Sequence, residues 1–65
     1  MRLTPLQRLE NEATERFGRG TAISVDRRPS WIVVMIWNAK GYEILNAIGK
    51  TRDASIRVAR EAVTS

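Results

Sequence analysis

The stretch Trp31–Trp37 has the sequence WIVVMIW and is the longest apolar run in the chain. It is far shorter than the ~20 residues that a membrane-spanning helix needs. Its β-branched and aromatic residues favour a β-strand, so we predict a strand over residues 31–38. Because successive side chains of a strand point to opposite faces of the sheet, this strand is apolar on both of its faces.

Two weaker strands flank this central one. Residues 21–28 alternate between apolar and polar side chains, with Ile23 and Val25 on one face, which is typical of a half-buried strand. A turn at Pro29 ends it, because proline fixes φ and cannot donate to a central ladder. After a second short loop, residues 42–48 are predicted to form the third strand. The short connections predict an antiparallel meander.

The N-terminal part of the chain predicts a helix over residues 5–17. Thr4 and Gln7 have the spacing of a capping box, in which each side chain bonds the backbone N–H of the other residue. Pro5 suits the first helical turn, and Gly18 favours the end of the helix. Apolar residues recur at helical spacing and form one predicted buried stripe: Leu6, Leu9, Ala13 and Phe17.

A second helix is predicted over residues 52–64. Gly49 and Lys50 end the third strand, and Thr51 can accept a hydrogen bond as the N-cap. Asp53 in the first turn complements the helix dipole. The predicted buried stripe consists of Ile56, Ala59, Ala62 and Val63. Three charged side chains are expected to face outward: Arg57, Arg60 and Glu61.

These elements predict an α+β fold with the order α-β-β-β-α. We expect a three-stranded antiparallel sheet with two helices packed on one face. A chain of 65 residues is long enough for one domain only, so residues 1–65 are assigned to a single domain. The chain has no cysteine, and therefore no disulfide can supplement its small core.

The two helices leave one face of this sheet without a cover. The side chains expected to face the helices are β-branched: Ile32, Val34 and Ile36. The outward side chains, which we predict to form a protein interface, are Trp31, Val33, Met35 and Trp37. Sequence does not fix the hairpin register, so the third strand adds one of two pairs to this face: Leu45 and Ala47, or Tyr42 and Ile44.

Three alternatives account for an outward apolar face. In the first, a longer loop or a helix end folds over it. In the second, a second copy of the chain or another protein packs against it. In the third, unpaired bases stack on Trp31 or Trp37, as in proteins that bind single strands. The second alternative is favoured, because a stacking platform usually interleaves its rings with basic residues, and this face offers few.

The chain is basic, with 11 Lys and Arg against 7 Asp and Glu, a net charge of +4 and an isoelectric point near 10.7. This balance suits a polyanionic or acidic partner. Five residues are predicted to contact nucleic-acid phosphates: Arg27, Arg28, Lys50, Arg52 and Arg60. The alternative is that they are ordinary solvated charges. Two helical pairs have the spacing that favours ion pairs instead: Glu12–Arg16 and Asp53–Arg57.

The residue types that catalysis needs are missing or scattered. The chain has neither histidine nor cysteine, which removes the usual general base at neutral pH and the thiolate ligands of metals. Gly49-Lys50-Thr51 is similar to the end of a phosphate loop, but the stretch from Ile44 to Ile48 lacks the required glycine. We therefore expect no enzyme activity, no cofactor, no metal and no small-molecule substrate.

The N-terminus shows no targeting segment. Residues 1–5 contain no apolar core of a signal peptide, and no apolar run has the length of a membrane span. The sequence therefore predicts a complete small protein that is cytoplasmic and does not enter membranes, in keeping with its lack of cysteine.

The element order and the segment Gly49–Val63, GKTRDASIRVAREAV, resemble the double-stranded-RNA-binding domain. That family has a helix, three antiparallel strands and a second helix. It contacts RNA through the first helix, the first hairpin loop and the start of the second helix. The resemblance implies Lys50 and Arg52 as phosphate contacts, and Arg27 and Arg28 as contacts from the loop. It also implies two small core alanines in the second helix: Ala59 and Ala62.

The C-terminal part is also similar to HicB-type antitoxin domains, through the GKTRD junction between strand and helix and the sequence AREA at Ala59–Ala62. Together these features predict a small non-enzymatic binding module. It would contact double-stranded RNA or DNA through its basic surface and self-associate as a homodimer through the open sheet face. The alternative is a protein-interaction module, such as a small phage-type inhibitor of a host protein complex, that acts through the apolar sheet face.

Overall fold

The computed structural model describes residues 2–65, in which there are two helices and three strands. In chain order the elements are α1 (Pro5–Phe17), β1 (Ala22–Arg27), β2 (Ile32–Trp37), β3 (Glu43–Gly49) and α2 (Arg52–Thr64). The α+β class and the order of the elements are confirmed. Both helices have the predicted bounds, and each end of each strand lies one residue from its predicted position.

The sheet is an antiparallel meander in the order β1-β2-β3. At its centre Val34 of β2 lies opposite Val25 of β1 and Ala47 of β3. The first hairpin has a two-residue loop, and the backbone N–H of Arg28 donates to the carbonyl of Trp31 at 2.8 Å. Arg28 and Trp31 close this turn, and they lie just outside β1 and β2.

The second hairpin loop is organised by the side chain of Asn38. Its amide oxygen accepts hydrogen bonds from the backbone N–H groups of Lys40 and Tyr42, at 2.9 and 3.0 Å. Gly41 has a φ of +88°, in the left-handed region that glycine adopts without a steric penalty. Tyr42 therefore belongs to the loop, and β3 begins at Glu43.

A β-bulge between Ile36 and Trp37 fixes the register that the sequence left open. Leu45 lies opposite Ile36, whereas Glu43 lies opposite Trp37, so β3 has one extra residue at Ile44. The residues of β3 that face the helices are Leu45 and Ala47, which pack on or into the core. The residues of β3 that face away from the helices are Ile44, Asn46 and Ile48.

Both helices begin at the predicted caps. Thr4 Oγ1 accepts a hydrogen bond from the N–H of Gln7 at 3.1 Å, and the Gln7 side chain accepts one from the N–H of Thr4 at 2.8 Å. At the start of α2, Thr51 Oγ1 accepts a hydrogen bond from the N–H of Ala54 at 3.0 Å. These bonds satisfy backbone donors that have no partner within the helix, and each such cap is typically worth ~1 kcal/mol.

The core lies between the two helices and one face of the sheet, as predicted. The buried side chains from the sheet are Val34, Ile36 and Ala47. Those from the helices are Leu9 and Ala13 of α1, and Ile56, Ala59 and Val63 of α2. The opposite face of the sheet contributes no side chain to this cluster.

The two helices run in the same direction. Glu12 in the middle of α1 contacts Arg60 of α2, and Arg16 in the last turn of α1 donates a hydrogen bond to the carbonyl of Ser65. Both helix N-termini therefore lie at the same end of the fold. The β1–β2 hairpin lies at this end as well, because β3 pairs with β2 and leads directly into α2.

The buried face of α2 differs from the prediction at two positions. Ala62 was expected in the core but is exposed, so its expected role as a core alanine is wrong. Ser55 is completely buried instead. Its hydroxyl donates to the backbone carbonyls of Thr51 and Arg52, at 3.1 and 2.9 Å, which offsets the cost of burying a polar group. Ala62 lies on the flank of this buried stripe, beyond the contact with the sheet.

Gly49 allows α2 to begin directly against the end of β3. A Cβ at this position would lie 2.5 Å from the backbone nitrogen of Ser55 and 2.9 Å from its Cα. Backbone atoms of a helix cannot move aside as the end of a flexible side chain can. Gly49 is therefore more than the strand breaker that the sequence indicates, since it sets the distance between the sheet and α2.

We expect Gly49→Ala to lower the free energy of unfolding by about 3 kcal/mol, at the upper end of what overpacking costs. Urea unfolding followed by circular dichroism measures this. Gly41→Ala is the control, because an added Cβ meets no atom within 4 Å there and only its positive φ opposes the change, at a cost of about 1 kcal/mol. A loss for Gly49→Ala no larger than that for Gly41→Ala would contradict the close approach.

Candidate nucleic-acid interface

An open cleft of about 420 Å³ lies where the β1–β2 hairpin meets the start of α2. Strand pairing brings its walls together, because Arg27 of β1, Ile32 of β2 and Gly49 of β3 lie side by side across the sheet. The hairpin contributes residues 27–32 to the lining, and the junction between β3 and α2 contributes residues 50–52.

Four of the five predicted nucleic-acid contacts line this cleft: Arg27, Arg28, Lys50 and Arg52. All four side chains are exposed. Arg28 forms an ion pair with Asp26, with 2.9 Å between guanidinium nitrogen and carboxylate oxygen, and both side chains remain about half exposed. The other three form no salt bridge within residues 2–65. Their charges are therefore directed to solvent rather than to a carboxylate of the chain.

The start of α2 adds to the positive potential of the cleft. The unpaired N–H groups of a first helical turn carry partial positive charge, equivalent to about half an elementary charge for the whole helix end. Asp53 is the acidic residue of this turn. It does not line the cleft but lies on another side of the helix, beside Pro5 and Arg57. The carboxylate of Asp53 is therefore not among the residues that line the cleft.

Trp31 forms part of the cleft wall beside these cations and is 46% exposed. Trp37 at the other end of β2 is only partly exposed, and its indole N–H donates to Ser24 Oγ at 3.1 Å. No comparable hydrogen bond holds the indole of Trp31 among the described residues. The sequence assigns Trp31 and Trp37 to the same outward face. In the structure they differ in exposure and in hydrogen bonding.

Arg60 lies apart from the other predicted contacts. Its Nε and one terminal nitrogen donate to the two carboxylate oxygens of Glu12, at 2.8 and 3.0 Å. The sequence places Arg60 on the outward side of α2, but its side chain lies half-buried against α1. Its role as a phosphate contact stays a prediction, and the geometry does not group it with the four residues of the cleft.

The pair between Glu12 and Arg60 also shifts both of their pKa values. The hydrogen bond from Arg60 holds the pKa of the Glu12 carboxyl below its ordinary value; burial opposes this, and the charges of Arg60 and Arg8 reinforce it. The same bond raises the pKa of Arg60. Glu12 therefore pairs across the two helices, and not with Arg16 one turn away as its spacing favours.

The sheet face opposite the helices is open, and its apolar side chains lie among three polar ones: Ser24, Asp26 and Asn46. We call it the outer face and define it by Val33, Met35, Trp37, Ile44 and Ile48. The residues of β2 are partly exposed, and those of β3 are 37% and 56% exposed, respectively. No described loop or helix end therefore covers β3 on this side. Trp31 lies at the hairpin end of β2, where the outer face meets the cleft.

Other kinds of site find no support among the described residues. Within residues 2–65, no three carboxylates come together in a way that would hold a metal ion. None of the helices in this range combines the length and apolar composition needed to cross a membrane.

No family model matches the chain, and no curated protein and no solved structure matches it. Function has to be inferred from the cleft and the outer face themselves.

We expect Glu12→Gln to flatten the dependence of stability on pH. Because the pKa of Glu12 is lowered by folding, the ion pair stabilises the fold above the ordinary glutamate value of 4.5. That contribution is lost as the pH falls through the lowered pKa. Urea midpoints measured from about pH 6 to about pH 3 cover this window. Glu10→Gln is the control, since this exposed residue of α1 forms no ion pair among the described residues. Identical pH profiles for wild type and Glu12→Gln would contradict the role of the pair.

Proposed function

We propose that this chain is a small, non-enzymatic, cytoplasmic binding module that contacts double-stranded nucleic acid through the cleft. One observation carries the proposal. Basic residues from two distant parts of the sequence meet in a single cleft without a carboxylate among the residues that line it: Arg27, Arg28, Lys50 and Arg52. The resemblance to the double-stranded-RNA-binding domain supports the same surface, because that family uses its first hairpin loop and the start of its second helix.

The chemistry of the cleft suits phosphates. Three of its four cations are arginines, whose planar guanidinium groups donate two parallel hydrogen bonds to a phosphate or carboxylate.

Contacts of this kind predict binding that depends on salt and little on sequence. Each neutralised phosphate of B-form DNA contributes about −0.9 to the slope of log affinity against log salt concentration. Four cations in contact with phosphates would give a slope of about −3.6. The magnitude of this slope, measured on duplexes of different sequence, reports how many of the cleft residues contact phosphates.

We expect the double variant Lys50→Ala/Arg52→Ala to bind duplexes at least tenfold more weakly at low salt, and its salt slope to fall by about 2. Fluorescence anisotropy with labelled RNA and DNA duplexes of about 18 bp measures both quantities. The matched control is Arg19→Ala/Lys40→Ala. It removes the same charge from two exposed residues at the opposite end of the sheet, where Gly20 lies against Ala39.

The two double variants separate a cleft from general attraction between opposite charges. Equal losses for both would show that net charge accounts for the binding, and the cleft would have no special role. No binding to either duplex at low salt, or binding that salt leaves unchanged, would contradict the proposed function.

The outer face favours a second interaction, and for it we propose self-association with a second copy of the chain. Its exposed apolar side chains lie among Ser24, Asp26 and Asn46, and exposed apolar groups gathered on one face favour an interface. Strand dimensions give the face an area of roughly 20 Å by 14 Å, whereas a stable interface buries about 800 Å² per partner. We therefore expect a weak homodimer through this face alone. The alternative occupant is a different protein, as for a small phage-type inhibitor of a host protein complex.

We expect Met35→Glu to abolish self-association, because it places a charge at the middle of the outer face. Sedimentation velocity on samples up to ~1 mM, the range of weak complexes, measures the distribution of species. Val58→Glu is the matched control, since Val58 is a comparably exposed apolar residue on α2, at 43%. A wild-type chain that stays monomeric throughout would contradict self-association and leave another protein as the occupant.

A further inference from the structure

We propose that the cleft binds an unpaired nucleotide next to a duplex, with the base stacked on Trp31 and its phosphates held by the surrounding cations. This inference rests on the proposed function and specifies its ligand. A module of this kind would prefer duplexes with an unpaired end or a bulge over blunt, fully paired duplexes.

Trp31 is an exposed aromatic side chain beside the cations of the cleft. Tryptophan is highly buried on average, yet Trp31 is 46% exposed and lines the cleft together with Arg27, Lys50 and Arg52. A ring beside cations is the combination that holds single-stranded nucleic acid, where base stacking is sequence-tolerant and the cations follow the backbone. Trp37 is only partly exposed, and its indole N–H already donates to Ser24 Oγ. The stacking alternative raised by the sequence therefore fits Trp31 and not Trp37.

The shape of the cleft and of a duplex limits which bases can stack on Trp31. The cleft is open to solvent, with a volume of about 420 Å³, so a base can approach the exposed ring of Trp31 from outside. The face of Trp31 can accept only a base whose own face is free. Inside a duplex both faces of every base are covered by its neighbours, so the stacking partner proposed here is an unpaired base.

The first hairpin determines where Trp31 lies. Trp31 lies outside β2, in the hairpin whose loop is Pro29–Ser30, and its backbone carbonyl accepts the closing hydrogen bond from Arg28. The short loop holds the ring at the end of the sheet beside Lys50 and Arg52 of the other wall. A duplex bound across the hairpin and the start of α2 would therefore place its end or a bulge against the indole.

Fluorescence of a single tryptophan tests the inference. In a Trp37→Phe variant Trp31 is the only tryptophan of the chain. This variant is titrated at low salt with a blunt duplex and with the same duplex carrying a short unpaired overhang. We expect the overhang to bind about tenfold more tightly, as one stacked base would provide, and to quench the emission of Trp31 more strongly than the blunt duplex does.

Two substitutions at Trp31 complete the design. Measured by fluorescence anisotropy of labelled duplexes, which needs no tryptophan, Trp31→Ala should bring the ratio of the two affinities close to one, whereas Trp31→Phe, which keeps an aromatic face, should retain part of the preference. Circular dichroism of both variants checks that they fold. Because the reported quantity is a ratio of two ligands on one variant, a general loss of stability would lower both affinities and leave the ratio unchanged.

The outcomes distinguish this inference from the proposed function. If neither duplex binds, the proposed function fails and this inference fails with it. If both duplexes bind with equal affinity and quench Trp31 equally, the proposed function stands and the inference is overturned. A preference for the overhang that persists in Trp31→Ala would also overturn it, because the unpaired nucleotide would then bind elsewhere.

Discussion

The burial of Val34 and Ile36 beneath the two helices is the constraint on which the rest of the structure depends. These side chains form the sheet side of the core together with Ala47, and α2 is placed over them by the close approach at Gly49. Because strand side chains alternate between faces, burying this set obliges Val33, Met35 and Trp37 to lie on the other side. The core and the outer face are thus two consequences of one apolar strand.

The same strand connects the two candidate surfaces. Its outer face meets the cleft at Trp31, so an apolar surface and a basic surface share one end of β2. Their interactions respond to different conditions, since phosphate contacts weaken steeply with salt and apolar contacts do not. Pairing of two copies through their outer faces would also join two clefts in one particle. Two linked sites on one nucleic acid bind more tightly than either alone when the geometry lets both engage.

Sequence predicted the parts of the fold that depend on local chemistry. Thr4, Gln7 and Thr51 mark the helix starts through bonds that span three residues, and the alternation in β1 marks its faces. Three features depend on how α2 packs against the sheet: the bulge at Ile36, the burial of Ser55 and the exposure of Ala62. No local sequence pattern encodes that packing. For the site, sequence predicted the cations and, through the meander order, that the first hairpin and the start of α2 share one end of the fold, whereas the side chains of β3 that face outward depend on a register it did not fix. Ile48 was missed for the same reason.

Net charge illustrates why position matters more than composition at this site. Arg52 and Arg60 are both arginines of α2, yet only Arg60 forms an ion pair with Glu12 of α1. No spacing rule in the sequence relates Glu12 to Arg60. Four of the eleven Lys and Arg residues of the chain line one cleft, and the lining contains no carboxylate. A modest total charge is therefore compatible with a locally basic surface. The isoelectric point alone does not report that asymmetry, and the distribution of charge around β2 is the better guide to a partner.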